Sequence, residues 1–210
     1  MVSRTAKRIR RTPEAARRAI LEAAERRLIE DGPEGVRVQH IAADLGMTGA
    51  ALHYHFGSRD ALIDSVMRFS AKRLLMDIDA ILEAWEVDQL DMRRLGALFR
   101  KTYADHGAAR MIFWLSLSGR KPRGSGLMRG LIEAVHLARE RRALARGLKS
   151  PPISDTRFVI ALLSSIHAVV PVAGDALLLS AGAEAGKVGA ERFLDWVASL
   201  LDARLNAAKS

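Results

Sequence analysis

The amino-acid sequence predicts an all-α fold in two parts, a small N-terminal three-helix unit followed by a larger helical bundle. Three observations carry this prediction. Nearly every segment places apolar residues at the three-to-four spacing of a helix, no stretch reads as a strand or an internal repeat, and the helical stretches are separated by Gly-, Pro- or Ser-containing breaks.

The elements follow in chain order. Residues 1–12 form a basic arm. Thr12 stands where an N-cap belongs, Pro13 takes the first helical position, and the helix stops at Gly32. Ile20, Ala24 and Leu28 share one face, with Arg17, Arg18, Arg26 and Arg27 largely elsewhere. "VQHIAADLG" reads as a short helix with Ile41, Ala42 and Leu45 inward. A tight turn at Gly46-Met47 leads to a second short helix, Thr48 to Phe56. Gly57-Ser58 then caps a helix starting near Arg59, whose inner side carries Ala61, Leu62, Ser65, Val66 and Phe69. This short break separates the expected domains, 13–58 and 59–210, and is too brief for a floppy linker. Longer amphipathic stretches follow at 59–86, 91–105, 108–119, 127–147, 153–180 and 188–207. They are punctuated by "PRGSG" (122–126), "SPP" (150–152) and "GAEAGKVG" (182–189).

Composition narrows the function classes. The chain has 210 residues with 33 Lys and Arg against 24 Asp and Glu, a net charge of +9. Such a surplus favours a polyanionic partner, although a solvated surface has the same total. Its distribution is uneven. Arg4, Lys7, Arg8, Arg10, Arg11, Arg17 and Arg18 face one acid, Glu14, in the first 20 residues, and a second basic run spans Arg120 to Lys149. There is no cysteine, which excludes disulfides, thiolate zinc sites and cysteine nucleophiles and fits a reducing cytoplasm. The basic N-terminus has no apolar stretch behind it, so no secretory signal is expected. The longest uncharged run, Phe158 to Gly174, falls short of the roughly 20 apolar residues of a bilayer span and predicts a buried helix, with no membrane partner.

The stretch "HIAADLGMTGAALHYHFGSRDAL" (40–62) carries the functional signal. In a helix-turn-helix a small residue, here Ala42, lets the second helix approach, and four residues on a glycine, here Gly46, reverses the chain. Ile41, Leu45, Met47 and Leu52 lock the two helices together. Thr48 can cap the second helix, and Thr48, Gly49 and Ala50 are small enough to enter a major groove closely. His53, Tyr54 and His55 make a poor metal site, because residues two apart on a helix do not face each other and no carboxylate or thiolate stands at i+4. They lack a nucleophile and an orienting partner, so neither an enzyme nor a cofactor is expected.

These residues resemble the DNA-binding domain of the tetracycline-repressor (TetR) family of transcriptional regulators. The likeness covers residues 14–69, about a quarter of the chain, through "ILEAAERRLIEDG" and then Ile41-Ala42, Gly46-Met47-Thr48, Leu52, His55-Phe56, Arg59 and Leu62. Two positions depart from the family pattern: His53 stands where a tyrosine is usual, with Tyr54 one place later, and Arg37 replaces a common threonine. The resemblance implies a homodimeric, ligand-responsive regulator, usually a repressor, bound to a near-palindromic double-stranded operator. Arg37, Thr48, His53, His55 and Arg59 are the expected backbone contacts, and Gly49, Ala50 and Tyr54 the expected base readers. Phe56 and Leu52 are expected core. Arg59 begins a helix, where a cation slightly opposes the dipole, and a phosphate would give it a reason to be there. The arm Arg4 to Arg11 is either a solvated tail or a DNA contact, and the Arg120–Lys149 run is expected to be an exposed helix face.

For the bundle the expectations are coarser. Trp85, Phe99, Tyr103, Trp114, His136 and His167, with Phe113 and His106, are each most simply core residues. Together they would suit a mainly apolar small-molecule pocket, with Trp114 and His167 as first choices. The last two helices carry broad apolar stripes, Phe158, Leu162, Ile166 and Val169 on one and Phe193, Val197, Leu200 and Leu201 on the other. The resemblance implies that they pair with a second subunit in a four-helix interface, while part of each stripe also serves the chain's own core.

Overall fold

The computed structural model describes residues 12–83, 91–119 and 126–206; the basic arm, Trp85 and most of the 122–126 break lie outside the described residues. Nine α-helices are described: α1 Pro13–Asp31, α2 Val38–Leu45, α3 Gly49–Phe56, α4 Arg59–Glu83, α5 Met92–Arg100, α6 Ala108–Leu117, α7 Arg129–Ala145, α8 Ile153–Ser180 and α9 Gly186–Asn206. A 3₁₀ turn, Pro33–Gly35, precedes α2, and α5 runs on into a π turn, Lys101–Asp105. No strand occurs among the described residues, so the fold is all-α. The chain divides into two compact units between Ser70 and Ala71. The first turns of α4 therefore belong to the first unit.

Local chemistry explains each boundary of the first unit. The Thr12 side chain accepts from Ala15 N at 3.2 Å, and Pro13 follows at the first helical position. Gly46 takes the left-handed conformation (φ 62, ψ 32), where Gly46 N donates to Ala43 O and Met47 N to Ala42 O at 3.1 and 2.8 Å. That pair of bonds is a Schellman closure, which ends α2 and turns the chain. Thr48 Oγ1 accepts from Ala51 N at 3.3 Å to open α3, and Ser58 Oγ accepts from Ala61 N at 3.1 Å to open α4. The helices close over Ile20, Leu28, Val36, Ile41, Leu52, Leu62, Ile63 and Val66, all buried. Full burial of each large aliphatic side chain contributes about 1.5–3 kcal/mol. One polar pair sits inside as well, the Ser70 hydroxyl donating to the Glu25 carboxylate.

In the second unit a core of Ile78, Met92, Leu95, Phe99, Leu131, Val135, Ile160, Leu163, Val197 and Leu201 joins α4 through α9. Beside it, Arg139 on α7 donates to Thr156 Oγ1 and Asp155 Oδ2, both at 2.6 Å, and Arg204 on α9 donates to Asp155 Oδ1 at 2.8 Å. α8 contains Pro171, and by length and composition it is apolar enough to cross a membrane, although the sequence run alone fell short. One side of α8 is core (Val159, Ile160, Leu163, His167); the other leaves Phe158, Leu162, Val172, Leu177 and Leu179 exposed.

Candidate nucleic-acid interface and bundle cavity

α3 presents one polar face. Ala50, His53, Tyr54 and Gly57 are exposed at i, i+3, i+4 and i+7, while Leu52 and Phe56 are buried behind them. Tyr54 is 86% exposed and projects freely. His53 Nδ1 lies 2.9 Å from Gly57 O. A carbonyl only accepts, so Nδ1 carries a proton, and Nε2 can donate to a phosphate only from the doubly protonated ring. Thr48, also exposed, caps α3 with its hydroxyl, and Gly49 is half-buried, 4.0 Å from Val38 Cγ1 for any Cβ placed there. Arg37 is exposed at the start of α2 and donates from Nε to Glu34 O at 3.2 Å, without capping the helix.

His55 and Arg59 stand elsewhere. The His55 ring is half-buried between Tyr54 and Phe56, 5.5 and 6.3 Å between centroids, off the exposed face. Arg59 donates from Nε to Val36 O at 3.0 Å and from Nη2 to Pro33 O, and pairs with Glu34 at 3.3 Å. Its guanidinium therefore secures the turn before α2, which supplies a reason for a cation at a helix start without any phosphate.

Two residues that sequence reasoning passed over tie the unit together. Arg17 lies 4.4 Å over the Phe56 ring and donates to His55 O at 2.9 Å, fixing the last turn of α3. Arg27 grips Asp44 of α2 through two bonds of 2.8 and 2.9 Å. Both look like ordinary solvated cations on the outer side of α1, so nothing local in the sequence marks them.

A cavity of about 490 Å³ lies within the second unit, between Arg100, the π turn, the 167–176 stretch of α8 and the start of α9. Of the residues expected to line a pocket, His167 alone does so among those described. Phe99 and Tyr103 are instead core: their rings stack at 6.0 Å, Phe99 lies 5.9 Å from His167, and the Tyr103 hydroxyl meets Ser164 Oγ. Burial raises the Tyr103 pKa, partly opposed by that bond. Trp114 is partly exposed on α6. His136 is held by Thr156 Oγ1 at 3.1 Å and faces Glu140 at 3.5 Å. The cavity lining is mainly apolar, with charged groups at its wall. Val170, Pro171, Ala173 and Leu194 contribute apolar wall, but Arg100, Asp105, Asp175, Lys187 and Glu191 reach it too.

The expected dimer stripes divide in the same way. Phe158 (73% exposed), Leu162 and Leu200 face outward; Ile166, Val169 and Phe193 are half-buried; Val197 and Leu201 belong to the core. Those two cannot form an outer surface, because 193, 197 and 201 make one inward row of α9. The outward row is Trp196, which sequence reading missed, and Leu200.

Residues 20–66 match the family model for bacterial regulatory proteins of the tetR family. Among curated proteins, the nucleoid occlusion factor SlmA of Sodalis glossinidius is 29% identical over 58% of this chain, and the HTH-type transcriptional regulator BetI of Rhizobium meliloti is 28% identical over 64%. The alignments span 62% and 64% of those relatives' lengths, a little under two-thirds of each. Solved structures agree in fold at lower identity. A transcriptional regulator from Saccharomonospora viridis in complex with choline superposes with TM-score 0.61 at 19% identity, covering 94% of this chain and 100% of its own. AibR in complex with isovaleryl coenzyme A and operator DNA gives 0.56 at 18%, covering 88% and 96%. The helix-turn-helix at 38–56 lies inside the matched segment, which is similar to the DNA-binding segment of the tetR family of bacterial regulatory proteins, and the all-helical fold as a whole is shared with these solved structures.

Proposed function

We propose that the protein is a homodimeric, ligand-responsive regulator, acting as a repressor that a small molecule releases from a near-palindromic operator in the cytoplasm. The outward face of α3 carries this reading: Ala50, His53 and Tyr54 share one exposed side, with Tyr54 almost fully free. On a helix set in the major groove, Ala50 and Tyr54 meet base edges, while Thr48, His53 and Arg37 contact the backbone. His55 and Arg59 support the unit from behind. The exposed row of α8 and α9, with Phe158, Leu162, Trp196 and Leu200, is the surface offered to a second copy, because a row of large apolar side chains is costly to leave in water.

The cavity supports ligand control, as do the complexes of two fold neighbours with choline and with isovaleryl coenzyme A. A ligand releases DNA only if it binds the DNA-incompetent state better than the competent one. Similarity to a nucleoid occlusion factor favours a second reading, a DNA-bound architectural protein without an inducer. Footprinting on genomic fragments, repeated with compounds that raise the melting temperature, separates the two. A discrete, near-palindromic footprint lost with a stabilising compound supports the regulator. Scattered footprints indifferent to every such compound overturn it. Substitution of Ala50 is expected to change the selected sequence, and an unchanged logo removes Ala50 as a base reader.

A further inference from the structure

Two helices break their regular hydrogen bonding at the same cavity. The π turn Lys101–Asp105 contributes Ala104 and Asp105 to its wall, and Pro171 inside α8 contributes a residue that has no N–H to close on the His167 carbonyl. Such irregularities cost stability, and they recur where a protein binds something. His167 lies between them. It is 3% exposed, and its Nδ1 sits 2.8 Å from Leu163 O, to which it must donate. Nε2 is then the acceptor of a neutral ring, and no group among the described residues donates to it. Burial and the charge of Arg100 both hold this imidazole below the ordinary histidine range, opposed by the Leu163 bond, so the ring is neutral at pH 7.

The neighbours of Nε2 define what it can receive. Gly96 and Arg100 are one turn apart on α5, and a Cβ added at Gly96 would stand 3.6 Å from Nε2. Arg100 lines the cavity and forms no ion pair among the described residues, although Asp105 and Glu191 line the same space. A partly buried, unpaired guanidinium beside an unpaired imidazole acceptor is matched by a carboxylate next to a hydrogen-bond donor. We propose that this cavity binds a small monocarboxylate bearing a hydroxyl or amine beside the carboxyl, the carboxylate pairing with Arg100 and the donor meeting His167 Nε2. Asp105 and Glu191 disfavour dianions and can accept from the amine of an amino acid. A quaternary ammonium ligand finds no aromatic cage among the described residues, since His167 is the one aromatic ring among those that line the cavity. The proposal rests on the ligand-responsive reading and gives it a ligand class.

Titration calorimetry and thermal shift on the full chain test it with 2-hydroxyhexanoate, 2-aminohexanoate, hexanoate, hexane-1,2-diol and choline. The first two are expected to bind and raise the melting temperature, and hexanoate and the diol to bind at least about tenfold more weakly. Arg100→Met should remove the preference for carboxylates. His167→Phe should remove the preference for a donor, and Gly96→Ala is a second route to the same atom should that variant not fold. Its added methyl suits a helix interior, so the chain stays folded while the donor's place beside Nε2 is crowded. Equal binding of hexanoate and 2-hydroxyhexanoate, tighter binding of choline, or no binding by either donor-bearing acid overturns the proposal. Release of operator DNA is scored separately. A hydroxy acid that binds without releasing DNA upholds the ligand class and counts against ligand control. Release by a ligand lacking carboxylate and donor does the reverse.

Discussion

The helix-turn-helix unit and the cavity region use glycine and arginine for opposite ends. In the first unit Gly46 sits at φ 62 because the turn demands a left-handed residue, and Arg17, Arg27 and Arg59 all spend their guanidinium groups on nearby chain. In the second, Gly96 lies inside a regular helix whose backbone conformation accepts any residue, and Arg100 faces a cavity with no ion-pair partner among the described residues. Groups satisfied within the chain define a scaffold. Groups left unsatisfied beside an opening define a place for something else. Reading partners, rather than residue types, is what separates the two.

The largest expected effect tests the scaffold side within the second unit. Arg139→Ala removes the donor shared by Thr156 and Asp155 in a buried network, while Arg204 still holds Asp155. Breaking such a pair costs about 3 kcal/mol, measured as a fall in the urea midpoint, with the selected DNA sequence unchanged. A loss below about 1 kcal/mol would make this network dispensable and blur the contrast with Arg100. Arg59→Ala comes next. If Arg59 secures the Pro33–Val36 turn, its loss lowers stability by about 1.5–3 kcal/mol, the range for hydrogen bonds to a charged group. A purely phosphate-facing arginine would leave the melting temperature in place and flatten only the salt dependence of DNA binding.

The glycines supply a matched pair. Gly46→Ala forces a Cβ into the left-handed region and costs about 1–2 kcal/mol, although nothing lies within 4 Å of that Cβ. Gly96→Ala in the interior of α5 gains roughly 0.5–1 kcal/mol by helix propensity. Opposite signs in thermal unfolding sharpen the comparison, and the same sign for both breaks it.

The same contrast explains what could be read from the sequence. The first unit was legible because its signals are local: Gly46 lies four residues after Ala42, and Thr48 opens the next helix two residues on. Arg59 was not, since its partners lie 23 and 26 residues back and only folding brings them together. The cavity was hidden for a related reason, being assembled from α5, α8 and α9, and aromatic residues drew attention that belonged to Arg100 and Gly96. On α9 the sequence stripe merges two rows one helical step apart. Val197 and Leu201 turn in, Trp196 and Leu200 turn out, and hydrophobicity alone does not tell them apart.

A pH titration probes the cavity through His167. Its folded pKa is lowered from 6.5, so between that lowered value and 6.5 the unfolded chain binds the extra proton and the folded chain does not. Stability therefore holds above 6.5 and is lost as pH falls through this window. His106 shifts in the same direction, by burial first and then Arg73. The informative quantity is thus the difference between the wild type and His167→Gln, which should lose part of the slope. Identical slopes would mean that the ring is not the neutral acceptor the cavity requires.

The smallest effect on stability comes from the outward face of α3, where the scaffold ends and the partner begins. Tyr54 is exposed, and substitution of such a residue leaves stability within about 0.5 kcal/mol. Tyr54→Ala and His53→Ala should therefore melt almost with the wild type and differ only on DNA. The two differences should have different forms. Nδ1–H of His53 is already given to Gly57 O, so Nε2 is what the ring has left for the backbone, and His53→Ala should weaken operator binding nearly evenly across sequences. Tyr54→Ala should instead change which sequence is selected. If Tyr54→Ala weakens binding evenly while His53→Ala changes the selected sequence, the two residues exchange roles, and the tyrosine displaced by one position in the sequence does the work of the usual one.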